Sequence, residues 1–478
     1  MRSDLEMPIE AQVSTLRHSV SIKFCRVSLA LILGLVGALP LVFLTPPFQV
    51  PDEVQHFYRA YQISEFKIRA EVHDGVSGGT IPSSLPELVR SCVFTRDAIY
   101  YPATPQPIAI SLRLSSIPLD QSMRQFVPFP GSAFYSPLPY LPQSLGIALG
   151  RLFGFGPLYL LYLARLFNCL VALAVVVLAV YLMPIAAELV IIVGLLPMSL
   201  FLYASVSPDA AVIACALLFV ALSFSAATRG NWKTWELVTA AAAAAVLCSV
   251  KPPYAPILVA GVIPGILRRD KAAVVVRSHA ILLTVALGIS ASWLLFAKSA
   301  MTSPLDGSHP SIQMSFVLHH PASFIRALVH TLRIREVGGL YFSTVGTFGW
   351  LSVFLRPVFA YFLPLVSFVV VWSTTERETA ERGVVRALWY LALGLTSALL
   401  IMLALYLIGA HVGLDEITGL QGRYFIPILV LFGMAAIEVA PRRSAPPTWR
   451  SLTAIAGIIL LQILATDSTI IRVFDVLS

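Results

Sequence analysis

The sequence predicts an all-α, polytopic membrane protein. Of its 478 residues, 57% are hydrophobic and only 12% are charged, whereas soluble domains average about 45–50% apolar and about 25% charged residues. Too little polar surface remains to cover a globule in water, which excludes a soluble enzyme, a disordered chain and a nucleic-acid-binding protein despite the net charge of +8. In addition, the apolar residues gather in runs of about twenty, the length that crosses a bilayer as a helix.

Eleven such runs predict eleven transmembrane helices within one membrane domain, 26–466, flanked by a cytoplasmic segment, 1–25, and a short tail, 467–478. The first run is expected to be an uncleaved anchor, because its flank is long and no small-residue cleavage site precedes Asp52. The predicted spans are 26–45, 158–182, 186–205, 209–228, 234–250, 252–267, 278–298, 356–373, 387–410, 423–439 and 451–465.

Lysine and arginine in the short loops indicate the orientation of the chain. Basic residues occur in 1–25, 229–233, 268–277, 374–386 and 441–450, all of which fall on one side. The opposite side receives two short segments without Lys or Arg, and two long loops, which are 46–157 and 299–355. This pattern predicts a cytoplasmic amino terminus and outward-facing long loops.

Segment 135–153 is apolar enough to cross the membrane, but three prolines crowd its start. A crossing here would invert every upstream loop against the distribution of basic residues. We therefore expect a helix in the outer interface, where Tyr135, Tyr140 and Arg151 suit an amphipathic position. The alternative is a true crossing combined with an additional break within 157–205.

Charged residues are costly at membrane depth and are candidates for function, and the first group of them follows the first span. Pro51 and Asp52 indicate a helix start, which puts Asp52 and His56 on one helix face, with Glu53 beside them. A carboxylate next to an imidazole can act as a general base or hold a divalent cation. The alternative is helix capping with a solvated face.

A second carboxylate, Asp209, begins the fourth span after a very short outward turn. It suits the helix dipole, so an N-terminal cap formed with Ser207 and Pro208 would explain it without any function. Lys251 and Tyr254 lie in the string KPPY at an outer boundary, where lysine is unusual. Lys251 either extends along the apolar surface to the interface or binds a lipid phosphate.

Two arginines complete the candidate set. Arg423 opens the tenth span from outside between Gln421 and Tyr424, and it fits either phosphate binding or interfacial anchoring. Arg165 lies inside the second span with Asn168 on the same helix face, and it fits either a phosphate ligand or the partner of a carboxylate. Two carboxylate sites and two cationic sites thus converge on one membrane face, which suits a substrate carrying both a lipid phosphate and a sugar.

The same residues carry a resemblance to a known family. In chain order the strings are PPFQVPDEVQHFYRAYQIS, GRLFGFGPLYLLYLARLFN, SVSPDAAVIA, KPPY, VGTFGWLSVFLRP and GRYFIPIL. They resemble a bacterial family of membrane proteins catalogued as a domain of unknown function and grouped with the GT-C glycosyltransferases. The resemblance covers about 26–440, and PDE-x-x-H and GRYF are its most specific parts.

The resemblance implies a GT-C fold, with interfacial helices in a large first periplasmic loop, in the bacterial inner membrane. It implies that Asp52 is the candidate base, with Glu53 adjacent, and that Asp209 matches a second acid. It also implies donors that are polyprenyl-phosphate sugars. Lys251, Arg423 and Arg165 are then the cations for the leaving phosphate, while Glu53, His56 and Asp209 would shape an acceptor site or a metal site. Whether a divalent cation such as Mg²⁺ or Mn²⁺ takes part is left open.

The expected function is therefore inverting transfer of a sugar from a polyprenyl-phosphate donor to a cell-surface glycan or lipid acceptor. Two alternatives are a transporter or flippase of lipid-linked saccharides, and a glycan polymerase or ligase. Membrane lipids are expected partners, whereas the sugar, the acceptor, the linkage and the oligomeric state are not determined by the sequence.

Overall fold

In the computed structural model of the protein, the described residues are 9–92, 114–267, 272–300, 309–334, 337–349, 351, 353–355, 361, 363–364, 366–367, 380–409, 411–440 and 457. Most of these residues are helical. The helices of the first half are α1 (Ile9–Leu44), α2 (Glu53–Ser64), α3 (Ser84–Cys92), α4 (Pro130–Ala133), α5 (Leu141–Leu152), α6 (Pro157–Leu182), α7 (Ala187–Gly194), α8 (Pro197–Tyr203) and α9 (Asp209–Arg229). Those of the second half are α10 (Thr234–Val250), α11 (Val262–Ile266), α12 (Ala272–Ala297), α13 (Pro310–His319), α14 (Pro321–Ile334), α15 (Val337–Gly346), α16 (Ala380–Gly409) and α17 (Ile426–Val439).

Six helical segments of the described chain are long and apolar enough to cross a membrane, so this is a multi-pass membrane protein. They are Ile22–Leu44, Pro157–Leu182, Asp209–Arg229, Ala272–Ala300, Arg382–Gly409 and Gly422–Val439. Each coincides with a span that the sequence predicts.

The other predicted spans differ. Segment 186–205 forms α7 and α8 rather than one helix. Pro197 has no backbone N–H, so it cannot continue the hydrogen bonding of the preceding helix. Segment 252–267 is a 3₁₀ stretch, Pro252–Val259, followed by the five-residue α11, and the four prolines of the segment account for the irregularity. Neither segment is the continuous spanning helix that was predicted. Segment 234–250 is the 17-residue α10, while 356–373 and 451–465 lie largely outside the described residues.

Segment 135–153, which the sequence places in the outer interface, contains the short helix α5. Its 12 residues span about 18 Å, less than the roughly 30 Å of a bilayer core, so α5 does not cross. The predicted amphipathic placement is wrong in one respect, because Tyr140 is fully buried, whereas Leu141, Leu145 and Leu152 are exposed. The outer face of α5 is therefore apolar, and the polar side chains point into the protein.

Helix α5 packs against α6 through two glycines in GxxxG spacing. A Cβ atom on Gly146 would lie 2.6 Å from the backbone oxygen of Leu163, and one on Gly150 would lie 2.5 Å from Leu160 Cδ2. Small residues at this spacing allow two helices to approach closely in a membrane protein. This close contact fixes the position of Tyr140 at the start of α5.

We expect Gly146→Leu to lower the free energy of unfolding by about 1–3 kcal/mol, because the backbone of α6 cannot make room for the added side chain. Thermal unfolding in a fixed detergent measures the change. Gly288→Leu is the matched control, since a Cβ atom there meets nothing within 4 Å. Equal destabilisation by both variants would contradict the close contact between α5 and α6.

Helices α6 and α9 form the centre of the bundle. Helix α6 packs against α1, α5 and α9, and α9 is the most buried of the six long spans. At the end of the bundle opposite the first long loop, three glutamates pair with arginines rather than extending to solvent. These pairs are Arg26–Glu188, Arg229–Glu236 and Arg386–Glu438.

The first long loop folds over the other end of the bundle and includes strands that the all-α prediction missed. Strands β1 (Glu71–His73), β2 (Val76–Pro82) and β3 (Arg124–Pro128) form an antiparallel sheet in that order. Helix α2 packs on β2, α4 and α5, and its Phe57 and Tyr61 are fully buried. In the second long loop, β4 (Thr347–Phe348) pairs with β5 (Val353–Phe354).

Candidate active site at one end of the helix bundle

Asp52 occupies the position before α2 in a left-handed conformation, with φ 65° and ψ 2°. Such a conformation is uncommon for a residue other than glycine, although Asp and Asn adopt it more readily than most. Its carboxylate makes no capping hydrogen bond to α2. The capping explanation therefore does not account for the Asp52 side chain.

Glu53, the first residue of α2, is held by Arg165 of α6. The Arg165 Nε donates to Glu53 Oε1 at 2.8 Å and Nη2 donates to Oε2 at 2.6 Å, and both side chains are 0% exposed. Arg165 also donates to the carbonyl oxygens of Thr45 and Pro46, at 2.6 and 3.1 Å. These contacts hold the end of α1 and the start of α2 against α6. Of the two roles that the sequence allows for Arg165, the structure shows the ion pair with a carboxylate.

The short turn before α9 is held by the same face of α6. Asn168 Nδ2 donates to the carbonyl oxygens of Ser205 and Ser207, at 2.7 and 3.3 Å. The backbone N–H of Val206 donates to Glu53 Oε1 at 3.2 Å. Ser207 Oγ accepts from the N–H of Asp209 at 3.2 Å, but Pro208 and not Ser207 occupies the N-cap position of α9, so the predicted cap is shifted by one residue. Arg165 and Asn168 thus hold two separate segments next to each other, one ending in Asp52 and the other beginning α9 at Asp209.

Four charged side chains form a continuous group, the charge cluster, made of Asp52, Asp209, Lys251 and Arg423. Arg423 Nη2 donates to Asp52 Oδ2 at 3.2 Å, and Arg423 Nε lies 3.7 Å from Asp209 Oδ2. Lys251 Nζ donates to Asp209 Oδ1. With two carboxylates and two cations, the cluster is electrically balanced.

The members of the charge cluster differ in their access to solvent. The side chains of Arg423 and Asp209 are 4% and 10% exposed, whereas that of Asp52 is 48% exposed. Asp52 is therefore the carboxylate that a substrate can reach without rearrangement of the bundle. Asp209 lies beneath it and orients the two cations.

Tyrosines line the cationic side of the charge cluster. Lys251 Nζ lies 4.5 Å from the centre of the Tyr424 ring, and the Arg423 guanidinium carbon lies 5.3 Å from it. Both distances allow cation–π attraction. Tyr254 donates its hydroxyl to the carbonyl oxygen of Tyr424 at 2.7 Å, so KPPY and GRYF are joined directly.

His56 lies one helical turn after Asp52 and contacts Tyr140. Its Nδ1 is 2.7 Å from the Tyr140 hydroxyl. Burial lowers the pKa of His56 to about 4, and the nearby carboxylate of Asp52 offsets this only in part. His56 is therefore a neutral imidazole at physiological pH.

The lowered pKa of His56 predicts acid sensitivity. Between pH 6.5 and 4 the unfolded chain binds a proton at this residue and the folded chain does not, so stability falls as the pH falls. The expected contribution is up to about 3 kcal/mol. Chemical unfolding at pH 7 and pH 4.5 should show a smaller loss for His56→Gln than for the unaltered protein. His319→Gln, which alters an exposed histidine, should behave like the unaltered protein, and an unchanged loss in His56→Gln would contradict the assignment.

A family model described as predicted membrane protein (DUF2142) matches residues 34–432. The chain belongs to the DUF2142 family. No curated protein and no solved structure matches the chain. The resemblance to a membrane protein family of unknown function is thereby confirmed, and the matched range includes the whole charge cluster.

The structure of this DUF2142 protein brings together most of the residues that the sequence singles out. Asp52, Asp209, Lys251 and Arg423 are in contact, and His56, Tyr254 and Tyr424 adjoin them. Glu53 and Arg165 stand apart as a buried pair directly behind Asp52.

Sequence reasoning missed the role of Tyr140 as the partner of His56. The two residues are 84 positions apart, and the only signal in the sequence is the cluster of prolines that starts α5. It also missed the anchoring of GRYF. Gly422 receives a hydrogen bond from Thr344 Oγ1 and donates one to Ser343 Oγ, at 3.1 and 2.8 Å.

The carboxylates of this DUF2142 protein do not form an evident metal site. Within the described part of the chain, no group of three or more His, Cys, Asp or Glu side chains could hold a metal ion. Asp52 and Asp209 are also each paired with a cation of the protein. A divalent cation would have to compete with Arg423 and Lys251 for the same oxygens, so the donor set fits a metal poorly.

Proposed function

We propose that this protein is an inverting glycosyltransferase of the GT-C type. It takes a sugar from a polyprenyl-phosphate donor and transfers it to a cell-surface glycan or lipid. The proposal includes eleven membrane crossings, of which 186–205 and 252–267 are interrupted rather than continuous helices. It also includes a cytoplasmic amino terminus and a reaction at the periplasmic face of the bacterial inner membrane. The distribution of basic residues and the resemblance of the sequence to GT-C enzymes support these assignments.

The single observation that carries the proposal is the charge cluster, in which the half-exposed carboxylate of Asp52 contacts the buried Arg423. Asp209 joins Arg423 to Lys251 in the same group. Sugar transfer from a lipid phosphate requires a base for the acceptor hydroxyl and positive charge for the departing phosphate. Asp52 provides the first, and Arg423 and Lys251 provide the second. All three lie within one set of contacts at one end of the bundle.

In the proposed reaction, Asp52 accepts the proton of the acceptor hydroxyl. The acceptor oxygen forms a bond to the anomeric carbon of the sugar while the bond from that carbon to the phosphate oxygen breaks. The electron pair of the broken bond leaves with the polyprenyl phosphate, and the configuration at the anomeric carbon inverts. The proton on Asp52 then passes to water or to the released phosphate.

Arg423 is released for the phosphate as Asp52 turns toward the acceptor. Of the two carboxylates beside Arg423, Asp52 is the more exposed to solvent. A phosphate can therefore take the place of the Asp52 carboxylate on the guanidinium. Asp209 remains paired with Lys251 and keeps both cations oriented toward the same point. Arginine is well suited to this exchange because its planar fork binds carboxylate and phosphate in similar geometry.

The test uses the purified protein in proteoliposomes with a panel of polyprenyl phosphates carrying radiolabelled sugars. Glycolipids and glycans extracted from membranes serve as acceptors. We expect label to move from the donor to an acceptor, with release of polyprenyl phosphate. Movement of an intact labelled donor across the bilayer without bond formation would replace the proposal with a flippase. Transfer of preassembled oligosaccharides alone would indicate a ligase or polymerase.

A further inference from the structure

A cavity of about 410 Å³ lies beneath the second long loop, between α15, the β4–β5 hairpin and the segment that leads to Gln421. Its volume falls within the range of small-molecule sites, roughly 300–1,000 Å³. We propose that this cavity binds the saccharide part of the acceptor. This inference rests on the proposed glycosyltransferase function, because that function requires a hydroxylated acceptor near the charge cluster.

Two side chains that line the cavity each have a buried polar atom without a hydrogen-bond partner among the described residues. Thr347 is only 3% exposed, and its hydroxyl has no hydrogen-bond partner among the described residues. The buried side-chain oxygen of Gln421 likewise has none within the described chain. Because an unsatisfied buried polar group costs about 1–3 kcal/mol, such atoms point to a polar ligand.

The chemistry of the lining favours a neutral, hydroxyl-rich ligand. Thr347 can donate and accept, and the Gln421 oxygen accepts, so both suit sugar hydroxyl groups. Glu416 adds a carboxylate to the lining of the cavity, which disfavours an anionic ligand such as a phosphate. Leu340 and Leu420 provide apolar surface for the C–H faces of a sugar ring.

The cavity is joined to the charge cluster through a rigid link. Gln421 lines the cavity, and Arg423 follows two residues later. Between them, a Cβ atom on Gly422 would lie 2.2 Å from the backbone nitrogen of Thr344. The segment therefore packs directly on α15, next to the cavity wall. A sugar bound at Gln421 therefore lies next to the segment that carries Arg423 into the charge cluster.

The experiment measures binding and transfer separately. Saturation-transfer NMR on the full chain in lipid nanodiscs, with neutral methyl glycosides of common hexoses as probes, reports contact with sugar ring protons. Radiolabel transfer in proteoliposomes reports turnover. We expect Thr347→Val and Gln421→Leu to abolish the ring-proton signal and to raise the acceptor KM about tenfold, with kcat changed less. Thr239→Val, which alters a partly exposed threonine on α10, far from the cavity lining in sequence, is the matched control and should change neither.

The outcomes separate this inference from the function on which it rests. Asp52→Asn should retain the ring-proton signal while losing transfer. A glycoside signal that depends on Thr347 and Gln421, in a protein that transfers no sugar, would support the cavity as a saccharide site and overturn the proposed function. Transfer that is unaffected by both variants, or a ring-proton signal that is absent or survives both variants, would overturn the cavity assignment.

Discussion

Asp52→Asn is expected to reduce sugar transfer at least 100-fold, because an amide cannot accept the proton of the acceptor hydroxyl. Removal of a general base typically costs between 10² and 10⁴ in rate. Asparagine tolerates the left-handed backbone conformation found at this position, so the fold of the loop should persist. Binding of the donor should be retained, since Arg423 keeps its place beside Asp209 and loses only the negative charge of Asp52.

Asp74→Asn provides a closely matched control for this prediction. Asp74 also has a positive φ, 49°, and belongs to the same long loop, but it is exposed in the turn between β1 and β2. Turnover in proteoliposomes, with donor binding measured separately by sedimentation of the loaded vesicles, should be normal for this variant. Full turnover by Asp52→Asn would eliminate Asp52 as the base.

Arg165→Met is expected to produce the largest loss of stability, about 3–5 kcal/mol. Removal of one partner of a buried ion pair leaves the other charge uncompensated in a medium of low dielectric constant. Here the abandoned charge is Glu53, and the carbonyl oxygens of Thr45 and Pro46 lose their donor as well. Denaturant or thermal unfolding in nanodiscs measures the change.

Two further variants test the origin of that loss. Arg124→Met removes an arginine whose side chain is 26% exposed and which pairs with Glu65, so its effect should be much smaller, about 1 kcal/mol or less. The double variant Glu53→Met/Arg165→Met should be more stable than Arg165→Met alone, because no unpaired charge remains. A double variant that loses the sum of the two single effects would show that charge compensation is not the cause.

The positions of the charged residues along the chain were predictable because the hydropathy of the sequence fixes where a span ends. Asp52, Asp209, Lys251 and Arg423 each lie at such an end, and the distribution of basic residues assigns these ends to one side. Residues at the ends of spans on the same side of a bilayer lie at a similar depth, so they can come into contact when the helices pack together. The charge cluster is therefore the part of the candidate site that sequence reasoning anticipates best.

The roles within that site were not predictable. Glu53 directly follows Asp52, but the two carboxylates project in different directions from the start of α2, so one meets Arg165 and the other meets Arg423. As sequence features, Arg165 and Arg423 are equivalent, each a lone arginine in or at a span. Only the packing of α6 against α1 and α2 determines that Arg165 is buried in a structural pair.

The two interrupted segments, 186–205 and 252–267, were likewise only partly predictable from the sequence. Prolines in 186–205 and 252–267 mark where a helix is interrupted, but hydropathy alone does not separate an interrupted segment from a continuous span. The sequence by itself determined that this is a multi-pass membrane protein with charged residues at the ends of its spans, because apolar runs and charge placement are local properties. The tertiary structure decided which carboxylate stays accessible, which arginine is engaged and which tyrosine meets His56, because those contacts depend on how each helix is rotated against its neighbours.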